Sequence, residues 1–338
     1  MELKDMEKIS SFTNHKFVID MMDPQDWLRH YNEGEEVVND FILPRGPLQQ
    51  DEFSDTIYHA MTEVPYHWHS KGVETFEIAA GRIDCVINGV HFIGEKGDII
   101  HLPAYTSHRF IYMEEGTIWR ELFSEIDMSG GIHEKNMVNY YYGDFKKSPE
   151  FMDMYREGKT NGREKPAVDD LPLVDHSMSY NCRTPEFGWV KYEGKGYSLK
   201  MKVGRWENNG AKEIWHVDAK KGLKVDYAYP HTGYELLYIQ SGKVKLTVNN
   251  TIDSAEAKEW IVTGDHIIDI PPYHTYTLEF LEDTALYNYG GQHYLMNCLE
   301  DLKSVETYDP ERIADPEDRL RFLRKYGVYA TSIEYTEE

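Results

Sequence analysis

The feature that most restricts how this chain can fold is an internal repeat. "HWHSKGVETFEIAAG" at 67–81 is answered by "YPHTGYELLYIQSG" at 229–242. His69 maps onto His231 at an offset of 162, and Glu74 onto Glu235 and Gly81 onto Gly242 at 161. Gly97-Asp98 maps onto Gly264-Asp265 at 167, so one loop between the two anchors has gained six residues. Offsets this steady indicate a duplicated domain, and each copy must fold as the same unit. A length of 338 residues suits two such units.

Around both anchors the chain reads as short strands. In the first half these are 55–64, 74–79, 82–87, 98–102, 107–113 and 117–126, rich in β-branched and aromatic residues. In the second half they are 198–206, 223–229, 235–240, 243–248, 266–270 and 275–281. Turn sequences such as "INGV" and "EEGT" separate them. This density predicts antiparallel sandwiches or barrels. Residues 144–175 differ: "DFKKSPEFMDMYREGKT" reads as a helix and "NGREKPAVDDLPLVD" as a polar, proline-bearing connection. The tail predicts one clear helix, with Asp315 as N-cap, Pro316 at N1, Arg324 and Lys325 in the last turn and Gly327 as C′. The expected division is an extension at 1–45, a barrel at 46–143, a connection at 144–197, a second barrel at 198–298 and a helical tail at 299–338.

Composition narrows the partners. A net charge of −23 repels phosphate backbones, so nucleic-acid binding is not expected. No apolar run reaches the length of a membrane span, and "MELKDMEKISSF" has no apolar signal core, so neither membrane nor export is expected. Three cysteines are too few and too scattered for a disulfide framework or a zinc cluster, which fits a cytoplasmic protein.

The chemistry concentrates in the first copy. Residues i and i+2 of a strand share a face, so His67 and His69 project together with Trp68 opposite. Glu74 opens the next strand and shares its parity with Phe76 and Ile78. Further on, "GDIIHLPAYTSHRF" places His108 at a strand start, where a twisted barrel can bring it to the other three. Three imidazoles and a carboxylate suit one divalent transition metal. Mn(II) or Fe(II) are first choices, with Zn, Ni or Co behind them, and an octahedral ion would keep about two positions for water or a bidentate oxygen ligand.

These residues carry a family resemblance. Stretch 67–108 resembles the cupin double motif: H-x-H-x4-E-x6-G in "HWHSKGVETFEIAAG", then G-D-x4-P-x4-H in "GDIIHLPAYTSH". The resemblance extends over both halves and so over most of 50–290. It implies an all-β fold, a bicupin of two double-stranded β-helix (jelly-roll) barrels with a few peripheral helices. It also puts the family's metal ligands on His67, His69, Glu74 and His108. The second copy departs from the pattern, with Tyr229 and Tyr276 where the outer histidines should stand. His274 lies two residues early and serves only with a register change. A phenol ligates well only once deprotonated, so this copy reads as a degenerate site.

Other residues carry two readings each. His59 and Glu63 enter the first pocket if their strand runs unbroken to His67, and sit on a rim if a bulge intervenes. Tyr105 lies on the loop at the barrel mouth, where it could donate to substrate. Tyr112 shares the parity of His108 and lines the barrel. Either Trp119, Glu121 and Phe123 or Ile118, Arg120 and Leu122 face the cavity; in the second case Arg120 becomes an anion-binding candidate. "NYYYGDF" (139–145) reads as a packed connection and "NYGGQHYL" (288–295) as a turn or a glycine-hinged lid.

The first expectation for function is a metal-dependent enzyme acting on a small oxygenated substrate. A divalent cation can chelate two oxygens and stabilise the enolate formed as a C–C bond breaks. Hydrolytic ring opening of a cyclic β-diketone, or decarboxylation, would use that effect, with Glu63, His59 or Tyr105 moving the proton. The alternatives are an oxygen-dependent ring-cleaving dioxygenase and a non-enzymatic small-molecule or carbohydrate-binding bicupin. Gentisate-type bicupin dioxygenases use three histidines, so Glu74 counts against that subgroup, while flavonol-type enzymes keep the glutamate. An exposed strand edge in each barrel leaves room for a homodimer.

Overall fold

The computed structural model describes residues 16–21, 23, 29–33, 37–42, 54–68, 73–124, 170–208, 212–227, 235–249, 256–271, 274–289, 294–328 and 330–337. The first half contains β1 (Val18–Asp20), β2 (Arg29–Glu33), β3 (Val37–Ile42), β4 (Ser54–Tyr58), β5 (Glu63–His67), β6 (Glu74–Ala80), β7 (Arg82–Ile87), β8 (Val90–Glu95), β9 (Ile99–Leu102), β10 (His108–Tyr112) and β11 (Thr117–Ser124). The connection contributes β12 (Leu173–Val174) and β13 (Cys182–Arg183). The second half contains β14 (Lys191–Gly194), β15 (Tyr197–Val203), β16 (Ile214–Ala219), β17 (Leu223–Tyr227), β18 (Glu235–Ser241), β19 (Lys243–Asn249), β20 (Lys258–Thr263), β21 (His266–Ile270), β22 (Thr275–Phe280) and β23 (Thr284–Asn288). Helices α1 (Leu295–Tyr308) and α2 (Pro316–Arg324) and a last strand, β24 (Ser332–Tyr335), follow.

The strand order repeats as the sequence does. In the first barrel β8-β7-β10-β5 faces β9-β6-β11-β4-β3; in the second β20-β19-β22-β17 faces β21-β18-β23-β16-β15. Strand β19 shows why these segments extend: Val244, Leu246 and Val248 are buried, while Lys243, Lys245 and Thr247 between them are not. The repeated glycine is equally physical. Gly81 and Gly242 have φ of +76° and +93° at tight hairpins, and a Cβ there would stand 2.4 Å from Thr117 Oγ1 and 2.4 Å from the Asp283 carbonyl oxygen.

The arms that precede the barrels cross. Strand β1 lies before the first barrel yet pairs with β21 of the second, Val18 opposite Ile268. Strand β13 lies before the second barrel yet pairs with β9 of the first, Cys182 opposite Ile100. The two seven-stranded sheets enclose a third core in which Ile99 and Leu122 of the first barrel meet Ile214, Leu236, Tyr287 and Tyr289 of the second. Within this contact a buried charge cluster spans both barrels. The Arg120 guanidinium donates to Asp55 at 2.8 and 2.9 Å, with Glu77 3.5 Å away, and stacks over Tyr238 at 4.0 Å. Glu77 accepts from Gln240 and from Tyr289, both at 3.1 Å.

Several segments depart from the sequence reading. The run 55–64 is not one strand: β4 and β5 are separate, joined through Met61 at φ +64°. Residues 29–42, expected to be an extension, pair through β3 with β4 and so belong to the first barrel's sheet. Residues 191–194, expected in the connection, form β14 beside β15. Helix α2 starts as expected, with the Asp315 carboxylate accepting from the Glu317 and Asp318 amides. The tail holds a further helix, α1, whose buried Cys298, Leu299 and Leu302 pack with α2 residues Phe322 and Leu323 against Met201 and Trp215. The segment 139–145 and the helix expected after 144 lie outside the described residues.

Candidate metal centre

The centre is assembled where β5, β6 and β10 begin or end at one mouth of the first barrel. The Asn88-Gly89 hairpin, both residues at positive φ, sets up the approach. Asn88 donates its amide to the Ser107 carbonyl at 2.8 Å, and its side chain accepts the Ser107 amide at 3.1 Å. This pins the chain one residue before β10. His108 then stands directly opposite His67 across the β5–β10 ladder, with ring centroids 4.2 Å apart at 63°.

His108 is 1% exposed. Its Nδ1–H donates to the Thr106 carbonyl at 2.9 Å, which leaves Nε2 as the lone-pair nitrogen. That nitrogen is 3.5 Å from Glu74 Oε2. Glu74 opens β6, and its same-face neighbours Phe76 and Ile78 are buried in the barrel. His108 thus lies close to both His67 and Glu74, its own ring already held in the metal-binding tautomer. This donor set fits a divalent transition metal. His69, the expected fourth ligand, lies outside the described residues.

The walls beside these groups are aromatic. Phe76 and Trp119 stack at 3.3 Å, Phe110 meets Trp119 edge-on at 4.8 Å, and Tyr112 stacks on Tyr58 at 3.6 Å. Burial pushes the Tyr112 phenol well above its ordinary pKa, Tyr58 and the negative charge of Glu74 adding to the effect, so it stays protonated. Trp119 faces inward, and its neighbour Arg120 therefore faces the contact between barrels, held by Asp55 and Glu77 of its own sheet. Arg120 is a cation of the barrel contact and not of the pocket.

The three acid–base candidates separate. Two residues of β10 (His108 to Phe110) span three of β5 (His67 to Val64), a bulge at Pro65, which has no amide to give the ladder. The extra residue turns Glu63 to the outer face, beside Ile111, where it accepts from Arg109 at 2.8 Å. His59 sits on the turn between β4 and β5 and pairs with Glu115 at 2.7 Å, at the far end of β10 from His108. Neither enters the pocket. Tyr105 is 59% exposed at φ +62°, with its ring 5.3 Å from Trp68, on the loop between Leu102 and His108 at the mouth. Tyr112 and Tyr58 are the phenols that the pocket contains; the parity of Tyr112 with His108 was the signal for the first.

In the second barrel the corresponding interior is closed in. Tyr229 and His231 lie outside the described residues. Glu235 is buried and accepts from Asn288 Nδ2 at 3.3 Å. Tyr276 stacks on Tyr227 at 4.6 Å, and burial, then the charge of Glu235, push its phenol well up, so both groups remain neutral phenols. His274 donates to the Pro271 carbonyl at 3.2 Å and meets the ring of Phe17, beside the crossed arm. A cavity of about 150 Å³ remains inside, lined mostly by Leu, Val and aromatic side chains.

Residues 56–118 match the family described as Cupin domain. No protein of curated function matches the sequence. Among solved structures, the chain is similar to the Bacillus subtilis oxalate decarboxylase, described for its Mn(II) centres, at 15% identity and a TM-score of 0.47, covering 81% of this chain and 76% of that one. It is likewise similar to a Lactobacillus farciminis oxalate decarboxylase in complex with formate, at 16% identity and a TM-score of 0.49, covering 81% and 85%. Likeness at that level carries no substrate with it. A cupin domain thus occupies residues 56–118, and the same strand order is built again between residues 197 and 288.

Proposed function

We propose that the protein is a metal-dependent enzyme that cleaves a C–C bond in a small, ring-shaped substrate bearing two chelating oxygens. The observation that supports it is the placing of His108 beside both His67 and Glu74, next to an aromatic wall. His67, His69, Glu74 and His108 would hold one divalent ion, Mn(II) or Fe(II). When bound, that ion supplies electrostatic stabilisation to the enolate that develops as the bond breaks.

The chain's own residues do the rest. Thr106 fixes the His108 ring, so the lone pair needs no reorganisation. Phe76 and Trp119 offer a planar face to a planar ring and exclude water behind it. Tyr112, held protonated in reach of the Glu74 charge, is a hydrogen-bond donor for a developing oxyanion. Tyr105 at the mouth remains the candidate for moving a proton to or from solvent. Charge favours a monoanionic intermediate: one carboxylate offsets half of a divalent ion, and Arg120, the cation sequence parity offered, faces away. Ring opening of a cyclic β-diketone suits this better than decarboxylation of a dianion.

The test is metal analysis followed by substrate screening with and without oxygen. The purified protein should carry one Mn(II)- or Fe(II)-class ion per chain. His69→Ala should remove it, while His231→Ala leaves metal content unchanged; equal loss from both refutes the assignment to the first barrel. Turnover of cyclic 1,3-diones should proceed anaerobically. Strict oxygen dependence with stoichiometric uptake would make the protein a ring-cleaving dioxygenase instead.

A further inference from the structure

A cluster of metal-binding groups outside the barrel is used by neither barrel's pocket. Asp98, His176 and Cys182 each place one ligand atom within 4.8 Å of the other two. They come from three separate pieces of chain. Asp98 sits in the turn before β9, His176 in a single helical turn of the connection (His176–Met178), and Cys182 in β13, the arm laid against β9. Asp175 caps the helical turn by accepting the Ser177 amide at 2.9 Å, and the Cys182 amide bonds back to the Ser179 carbonyl at 3.1 Å. The backbone that carries both side chains is thus fixed locally.

The carboxylate is the unusual member. Asp98 is fully buried. Its Oδ2 takes the Glu95 amide at 2.9 Å and His176 Nδ1–H at 2.5 Å, while its buried Oδ1 meets no donor in hydrogen-bonding geometry. An under-satisfied buried carboxylate oxygen beside a thiol and an imidazole is a cost that a cation would remove. Cys182 also lines a surface groove of about 290 Å³, with Met178, Tyr180 and Trp189 around it.

We propose that Asp98, His176 and Cys182 form a second metal site, which takes a zinc-class divalent ion with water from the groove as fourth ligand. The donor set supports that choice. A thiolate, an imidazole and a carboxylate suit Zn(II) or Co(II), whereas Mn(II) prefers the nitrogen and oxygen donors of the barrel. Charge closes as well: a thiolate and a carboxylate neutralise a divalent ion. Binding expels the thiol proton, together with any second proton on His176, to solvent. The ligand atoms of a tetrahedral zinc shell lie roughly 3.3–3.8 Å apart, so within the 4.8 Å that encloses the three groups only local side-chain adjustment is needed, with the His176–Asp98 hydrogen bond giving way to the ion. The ion would fasten the connection and its arm to the first barrel.

Cobalt is the probe. Full-length protein stripped with chelator is titrated with Co(II), and the thiolate-to-cobalt charge-transfer absorption is followed. One equivalent should saturate that band, and Zn(II) should displace it. Cys182→Ser should abolish it, while His108→Ala, which empties the barrel, should leave it. Zn(II) should raise the Tm of the wild type and not of Cys182→Ser. Should Cys182→Ser misfold, His176→Gln serves instead: the band stays and its Co(II) affinity falls at least tenfold. Absence of the band in wild type, or its survival in Cys182→Ser, reduces the cluster to a hydrogen-bonded joint and overturns the site.

Discussion

At the scale of single residues, the best-placed groups are those whose neighbours leave them one state. His101 is such a group: it is fully buried in β9, with Nδ1 2.9 Å from Thr75 Oγ1. Burial, reinforced by the nearby Arg183 charge, pulls its pKa down to about 4. As pH falls, the unfolded chain takes up this proton first. The contribution is therefore intact above an unfolded pKa near 6.5 and disappears between there and about 4, a loss of about 3 kcal/mol. Urea unfolding at a series of pH values should show that slope in the wild type and a shallower one in His101→Gln. Gly242 is a second case. A methyl there meets a backbone oxygen and forces φ +93° on an L-residue, so Gly242→Ala should cost more than about 1 kcal/mol by the same measurement. The hairpin glycines and the nearness of His108 to His67 and Glu74 were legible in sequence because they are local: a spacing specifies a face, and a hairpin specifies its glycine. The orientations of Arg120 and Glu63 were not, since each depends on which partner strand the residue meets.

At the scale of elements, the least legible features are pairings between distant segments. Strand boundaries follow from alternation, and β7 and β21 fall where the pattern puts them, at Arg82–Ile87 and His266–Ile270. The bulge in β5 shows only against β10. Helix α1 had a signal in the spacing of Leu295, Leu299 and Leu302, but its N-cap position is Tyr294, which makes no side-chain capping bond. The crossed arm β1 had no signal beyond three apolar residues. Its Phe17 and Ile19 are 1% exposed, in the second barrel's core and in the contact between barrels. Deleting residues 1–21 should bare the β21 edge and remove the buried side chains Phe17, Ile19 and Met21, worth roughly 1.5–3 kcal/mol each. A lower Tm, with aggregation on heating, is the expected outcome. An unchanged Tm would show that the arm only rests on the sheet.

At the scale of the whole molecule, no helix among the described residues is long and apolar enough to cross a membrane. The two barrels share a buried contact in which the charges of the first, Arg120 with Asp55 and Glu77, are met by neutral polar and aromatic side chains of the second. Arg120→Met would leave Asp55 and Glu77 buried without their cation, at a cost of about 3–5 kcal/mol. Because Glu77 also accepts from Gln240 and Tyr289, the damage should reach both halves. Calorimetry should show one transition in the wild type, lowered as a unit in the variant; two separated transitions would mean that the halves melt independently. The exchange of strands has a historical consequence as well. A duplicated gene can normally discard its idle copy, but here each half lends the other a border strand. Whatever the second barrel does, it cannot be deleted without stranding the N-terminal arm that pairs with β21, so the lineage is committed to carrying it.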